Sequence, residues 1–340
     1  MSRPRVALVL GGGAARGLAH IGALEVLEEE EVQIDLLVGS SMGGLVAALV
    51  AAGLRAPEVR ALAHGFRFPS WFIPGGLIEW ERIFRPALPV LEHKRFDALK
   101  RRLAVVAVDL ESGRRVVLHD GPVLPAIRAT CAVPAVLPPV EIGGRWLVDG
   151  GLVSVLPVDV ASMADPDVVV AVDVGAPRAR RLPWLAHAGW RLGHLLPNPL
   201  TARSSFELLV RAAEIALDRQ STLAAAMLGP EVLVRVDLGD FGLREFHRVD
   251  EAVAAGRRGM IAALPALRGA LVARPSSRDP LAGREVVLRL DPVCDMVVNP
   301  RRAAAMVEGN GRTIYFCSVG CRDTFVRNGG TCGDAIVWPG

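Results

Sequence analysis

At 340 residues the chain can bury at least one full-sized core, and its formal net charge of +3 is no electrostatic case for nucleic acid. Hydrophobic residues make up 51% of it, yet the apolar run "LVAALVAAGL" is too short to span a bilayer. Five cysteines, gathered mostly toward the C-terminus of a chain that opens without an export signal, point to metal or redox chemistry in a reducing cytoplasm before disulfides.

The first 175 or so residues alternate between two periodicities. "RVALVL" reads as a buried strand, and "ARGLAHIGALEVLEEE" as a helix with Leu18, Ile21, Leu24 and Leu27 turned inward. "IDLLVG" is a second strand and "MGGLVAALVAAG" a second helix, ended by Gly53 and Pro57. Successive β–α units predict an α/β fold with a mostly parallel central sheet and helices on both faces. Further strands are expected at "LAVVAVDL", "RRVVLHD", "RWLVDGG", "DVVVAVDVG" and "EVLVRVDL". Between them, "FRFPSWFIPGGLIEWERIF" is unusually aromatic, and Trp71, Phe72, Ile73 and Trp80 suit either an apolar lid or interfacial patch, or a packed loop. From about residue 200 the pattern is mainly helical. "ARPSSRDPLAG" then reads as a linker over 273–283, dividing a domain at 1–272 from a small Cys-containing α+β unit at 284–340.

Two glycine-rich turns carry the chemistry. "GSSMG" fits G-x-S-x-G with Ser41 central and Gly39 and Gly43 flanking, between a strand and a helix. That setting lifts a hydroxyl above the sheet and places it at a helix N-terminus, which favours negative charge on its oxygen. The bland alternative is a serine that only caps the helix. "GGGAARG" follows the first strand and converges N–H groups on one point, as an anion-binding nest does. No register of it supplies G-x-G-x-x-G, and no acidic residue ends the second strand, which argues against a dinucleotide. An oxyanion hole built from Gly12, Gly13 and Ala14 fits better, with Arg16 bracing the loop beside Gly17. None of the seven histidines follows a strong strand in a glycine turn; His20 falls inside the first helix, and His247, in triad order, falls at a helix start. Asp149 does end a strand, before Gly150 and Gly151, and an aspartate that orients a serine hydroxyl directly can serve as its base. An ordinary Asp-Gly turn is the competing reading.

"GGGAARG", "GSSMG" and "DGG" occur in the order and spacing of the patatin-like phospholipases, which the chain resembles over roughly residues 5–265, including "AIRATCAVPAVLPPV" and "LPVDVA". The resemblance implies Ser41 as nucleophile, Asp149 as general base, and the loop around Gly12 and Gly13 as oxyanion hole. It implies hydrolysis of lipid acyl esters, of phospholipase A type, with no cofactor for catalysis. Ala14 stands where such proteins often carry glycine, and its methyl group is tolerated there if its φ stays negative. Substrate contact at the inner face of the membrane is the matching expectation for location. A lipid-indifferent ester or thioester hydrolase is one rival reading.

In the tail, "DPVCDM" and "YFCSVGC" resemble a YHS domain, a small metal-binding module, over about 287–328. Cys317 and Cys321 are spaced to share a helical face, and with Cys294, and Cys332 as a further candidate, they suit zinc or copper. "AAAMVEG" stands where such modules often carry a histidine. Cysteines that act as small packing residues are the alternative. A metal sensor or carrier with the larger domain as scaffold is therefore the second rival reading.

Overall fold

The alternating strands and helices assemble, in a computed structural model that describes residues 3–68, 78–175, 199–272, 289–293, 297–298, 303–309, 312–316 and 319–327, around one twisted sheet. Its strands are β1 (Val6–Leu10), β2 (Leu36–Ser40), β3 (Arg102–Asp109), β4 (Arg115–Leu118), β5 (Val140–Ile142), β6 (Arg145–Asp149), β7 (Val168–Asp173) and β8 (Val232–Arg235). The order is β5-β6-β3-β2-β1-β7-β8, with β4 also on β3. Strands β3, β2, β1, β7 and β8 run parallel, whereas β4 and β6 run antiparallel to β3. The expected mostly parallel sheet is therefore present, with an antiparallel edge.

The helices are α1 (Ala19–Glu29), α2 (Met42–Ala51), α3 (Ala56–Ala63), α4 (Trp80–Phe84), α5 (Leu88–Leu91), α6 (Val123–Thr130), α7 (Val158–Ser162), α8 (Pro199–Leu228) and α9 (Val249–Val272). Period-two alternation sends β1 into two cores. Val6, Leu8 and Leu10 pack with α1, α2 and α9, while Ala7 and Val9 pack with α7 and α8. Both faces being covered explains why β1 and β2 are buried at every position and read as continuous apolar runs. Leu18, Ile21, Leu24 and Leu27 are all buried as their spacing predicts. Trp80, by contrast, belongs to the core: it is buried in α4 and packs against Phe84, with ring centroids 5.0 Å apart. It therefore cannot serve in an exposed lid, and Trp71, Phe72 and Ile73 lie outside the described residues.

The C-terminal unit has β9 (Arg289–Leu290) paired antiparallel with β10 (Val297–Val298), and β11 (Ala305–Gly309) paired antiparallel with β12 (Arg312–Phe316). Helix α10 (Val319–Arg327) follows, and Cys321 and Phe325 from it pack on Ile314 and Phe316. The linker expected at 273–283 lies outside the described residues.

Helices α1 and α9 cross at two glycines. A Cβ on Gly22 would come within 1.9 Å of the Val253 carbonyl oxygen, and one on Gly256 within 1.8 Å of the Ala19 carbonyl oxygen. Neither backbone can yield without separating the helices. Gly256→Ala is therefore expected to destabilise the fold by about 2 kcal/mol or more, as overpacking against backbone does. Chemical denaturation, compared with Gly269→Ala, where a Cβ meets nothing within 4 Å, checks this.

Candidate active site

Ser41 occupies the sharp turn between β2 and α2, with φ 54° and ψ −128°. A non-glycine residue held at positive φ is strained, and such strain persists only where the surroundings over-determine it. Here the glycines on either side let the chain close up. A Cβ on Gly39 would lie 2.5 Å from the Gly44 Cα, and one on Gly43 would lie 2.1 Å from the Leu10 carbonyl oxygen. The Ser41 N–H donates to Thr130 Oγ1 at 2.9 Å, and the Thr130 hydroxyl donates to the Val106 carbonyl at 2.5 Å. Thr130 is fully buried, so this bond has no competing water.

The Ser41 hydroxyl donates to Asp149 Oδ2 at 2.6 Å. Asp149 ends β6, and its second oxygen accepts the Gly151 N–H at 2.7 Å. Burial raises its pKa to about 6, although the hydrogen bonds from Ser41 and Gly151 pull the other way. A carboxylate that titrates near neutrality is a stronger base than an exposed one, and it is ionised at pH 7. Ser40 is also buried, but its hydroxyl has no hydrogen-bond partner among the described residues. The two serines thus differ in environment: one meets a carboxylate and the other meets none.

The glycine loop departs from expectation at two residues. The Gly12 N–H donates to the Val155 carbonyl at 2.8 Å, so it is not available to an incoming anion. Gly11 donates to Val172 and Ala15 to Leu243, which leaves the N–H groups of Gly13 and Ala14 without an acceptor among the described residues. Ala14 has φ 48°, so the condition of a negative φ for its methyl group is not met. The loop's closure, fixed by its neighbours' hydrogen bonds, overrides the alanine's own preference. Gly12 still matters sterically, because a Cβ there would lie 3.3 Å from the Ser41 Cβ. At Gly17 a Cβ would lie 2.5 Å from the Met42 Cγ, so the loop packs directly on the residue after Ser41.

Arg16 braces this loop from below. Its guanidinium is buried, with Nε donating to the Phe241 carbonyl at 2.9 Å and Nη2 to Glu214 Oε1 at 2.6 Å. Arg211 holds the other Glu214 oxygen at 3.1 Å. His20 is a second support. Its Nε2 lies 2.7 Å from the Gly11 carbonyl oxygen, and burial lowers its pKa to about 4. The ring is therefore neutral, and Nε2–H is the donor. Neither Thr130, His20 nor Glu214 announces its role locally, since each meets the loop or the turn only through tertiary packing. His247 is exposed before α9 and makes no contact with Ser41.

Of the cysteines, Cys131 is buried near Asp149, and burial with that carboxylate's charge raises its thiol pKa well above the usual range. Cys294, Cys317 and Cys332 lie outside the described residues. Cys321 packs in the apolar cluster of Ile314, Phe316 and Phe325. Among the described residues no group of three or more His, Cys, Asp or Glu side chains could hold a metal ion.

Residues 8–162 match the family described as patatin-like phospholipase. An uncharacterized NTE family protein of Mycobacterium tuberculosis is 32% identical over 275 residues, covering 76% of this chain and 46% of that protein. The chain thus spans about half the length of this relative. Patatin-like phospholipase domain-containing protein 6 of Mus musculus is 28% identical over 269 residues, covering 74% of this chain and 20% of that protein. The crystal structure of VipD from Legionella pneumophila aligns with a TM-score of 0.45 at 11% identity, covering 79% of this chain and 67% of that one.

Thr130→Val keeps the shape but removes the acceptor for the Ser41 N–H. Leaving that buried donor unsatisfied is expected to destabilise the fold by about 1–3 kcal/mol. Thr130→Ser should restore most of the loss. Urea denaturation of the three proteins measures it.

Proposed function

We propose, for a chain that carries a patatin-like phospholipase domain over residues 8–162, that it is a serine hydrolase of lipid acyl esters, of phospholipase A type, working through Ser41 and Asp149. The observation that carries the reading is the 2.6 Å hydrogen bond from a strained, buried Ser41 to a buried carboxylate. As the Ser41 oxygen attacks the ester carbonyl carbon, its proton passes to Asp149 Oδ2. The carbonyl oxygen becomes negative and is met by the N–H groups of Gly13 and Ala14, with the N-terminus of α2 adding a favourable dipole. Collapse of the tetrahedral species breaks the ester bond, and the departing alcohol takes the proton from Asp149. Water then attacks the acyl-serine, again giving its proton to Asp149. Collapse of this second tetrahedral species releases the carboxylic acid, and Asp149 returns the water's proton to the Ser41 oxygen, which restores both groups.

The raised pKa of Asp149 supports this assignment, since general-base efficiency rises as the base approaches the operating pH. A Ser-His triad is disfavoured by the exposed position of His247. A zinc or copper site in the tail is not part of this proposal, because no group of metal-binding side chains is present among the described residues. Preference for lipid over a soluble ester or thioester rests on the family match.

Ser41→Ala should abolish ester hydrolysis and covalent labelling by a fluorophosphonate, whereas Ser40→Ala should keep both. Labelling that persists in Ser41→Ala and vanishes in Ser40→Ala would make Ser40 the nucleophile and overturn the assignment.

The pH dependence has a definite sign. Below about 6 the Asp149 carboxyl is protonated and cannot accept the serine proton, so kcat/KM should fall with one proton on the acid side of that value. A carboxyl whose folded pKa lies above its unfolded one favours folding at low pH, and that contribution disappears as pH rises through about 6. Asp149→Asn, neutral and nearly isosteric, should therefore lose activity by ~10² or more while its Tm at pH 8 is no lower than that of the native chain. A pH–rate profile and thermal melts of both proteins test the pair of expectations.

A further inference from the structure

The carboxyl end of the sheet carries large apolar side chains in solvent. Leu110 is 56% exposed and Trp146 46%, while Leu152 and Val153 are 49% and 41% exposed. Topology brings them to one end of the molecule. Strands β2 and β3 are parallel, so Leu110, just past β3, lies at the same end as Ser41, just past β2. Leu110 donates its N–H to the Trp146 carbonyl at 2.8 Å. Trp146 precedes Asp149 on β6, and Leu152 and Val153 follow it closely in sequence. Gln220 Nε2 donates to the Leu152 carbonyl at 2.9 Å, which fixes the backbone while the side chain stays outside.

The hairpin between β5 and β6 has the geometry of a presented tip. Gly143 and Gly144 both have positive φ, 59° and 75°, as the tightest two-residue turns require. A Cβ on either would meet nothing within 4 Å. Charges of both signs lie there, Arg145 and Glu141 on this hairpin and Arg114, Asp109 and Glu111 on the end of β3 and the β3–β4 turn. Such a mixture gives no single-sign field to draw the protein to an anionic surface. It does match headgroups that carry both charges, and tryptophan favours that polar–apolar boundary.

We propose that Leu110, Trp146, Leu152 and Val153 seat the protein, with Ser41 facing downward, on a zwitterionic phospholipid surface; the orientation rests on the lipid-hydrolase reading above. A second copy on this face would close the route to Asp149, whereas a lipid surface supplies acyl chains at that opening. The proposed apolar contact is thus on the hairpin and the segment after Asp149.

Co-sedimentation of the full chain with phosphatidylcholine vesicles tests this. Leu110→Ser/Trp146→Ser should weaken vesicle partitioning at least about tenfold, since each inserted side chain is worth roughly a decade of affinity. Leu223→Ser/Met227→Ser, altered at exposed apolar positions on α8, should bind as the native chain does. Hydrolysis of a short soluble ester should be equal in all three. Equal partitioning of the native chain and the first variant overturns the proposal, as does equal loss in both variants. So does a native dimer that the first variant dissociates, because a second copy is then the occupant. Should the double variant not fold, Trp146→Lys at its half-exposed site makes the same comparison. Absence of soluble-ester turnover in every protein would defeat the hydrolase reading, while the partitioning data would still decide the surface.

Discussion

Strand β3 is the element on which the site depends. It pairs in parallel with β2 on one side, setting Val106 beside Ser40, and antiparallel with β6 on the other, setting Ala107 beside Asp149. Ser41, next to Ser40, and Asp149, 108 positions apart in the chain, therefore emerge side by side. The same short stretch of β3 also anchors the turn, since the Val106 carbonyl accepts the Thr130 hydroxyl that in turn holds the Ser41 N–H. A Cβ on Gly150 would meet that carbonyl oxygen at 2.1 Å, so the chain after Asp149 lies directly over β3. One carbonyl thus limits where both ends of the Ser41–Asp149 pair can go.

Burial then tunes the chemistry. The interior that packs the sheet also removes water from Asp149, which raises its pKa toward neutrality, and from His20, which lowers its pKa to about 4. These opposite shifts have one cause, since desolvation disfavours whichever form is charged. Asp149 is left a usable base, and His20 a neutral donor to the glycine loop. The Arg16–Glu214 pair is a different solution to burial: both charges are retained, and each is hydrogen-bonded. Removing one partner of such a pair typically costs about 3–5 kcal/mol, because the other is left buried and unpaired. The loop that faces Ser41 is thereby tied to α8, more than a hundred residues away in the chain.

Two of the five described non-glycine residues at positive φ lie where these constraints meet. Ser41 and Ala14, both at positive φ without being glycine, belong to the two turns that face one another. Around them, glycines permit contacts that any side chain would prevent, and buried hydrogen bonds hold the backbone in place. Rigid, over-determined turns of this kind pre-organise N–H groups and a hydroxyl before substrate arrives.

What the sequence by itself determined is what repeats locally. Period-two and period-3.6 patterning located β1, α1, β2 and α2 and the parallel sheet, and glycine-flanked turns pointed to Ser41, the loop after β1, and Asp149. Local pattern cannot see which N–H groups the fold occupies, so Gly12 reads as a donor although Val155 takes its N–H. Nor could it give the φ of Ala14, which neighbours impose, or the burial of Trp80 within an aromatic stretch that reads equally well as surface. Thr130, His20 and Glu214 are ordinary helix residues in the sequence. Only the tertiary structure made them part of the site, because hydrogen bonds across 89, 9 and 198 residues depend on where the chain returns, and that is decided by packing of the whole sheet.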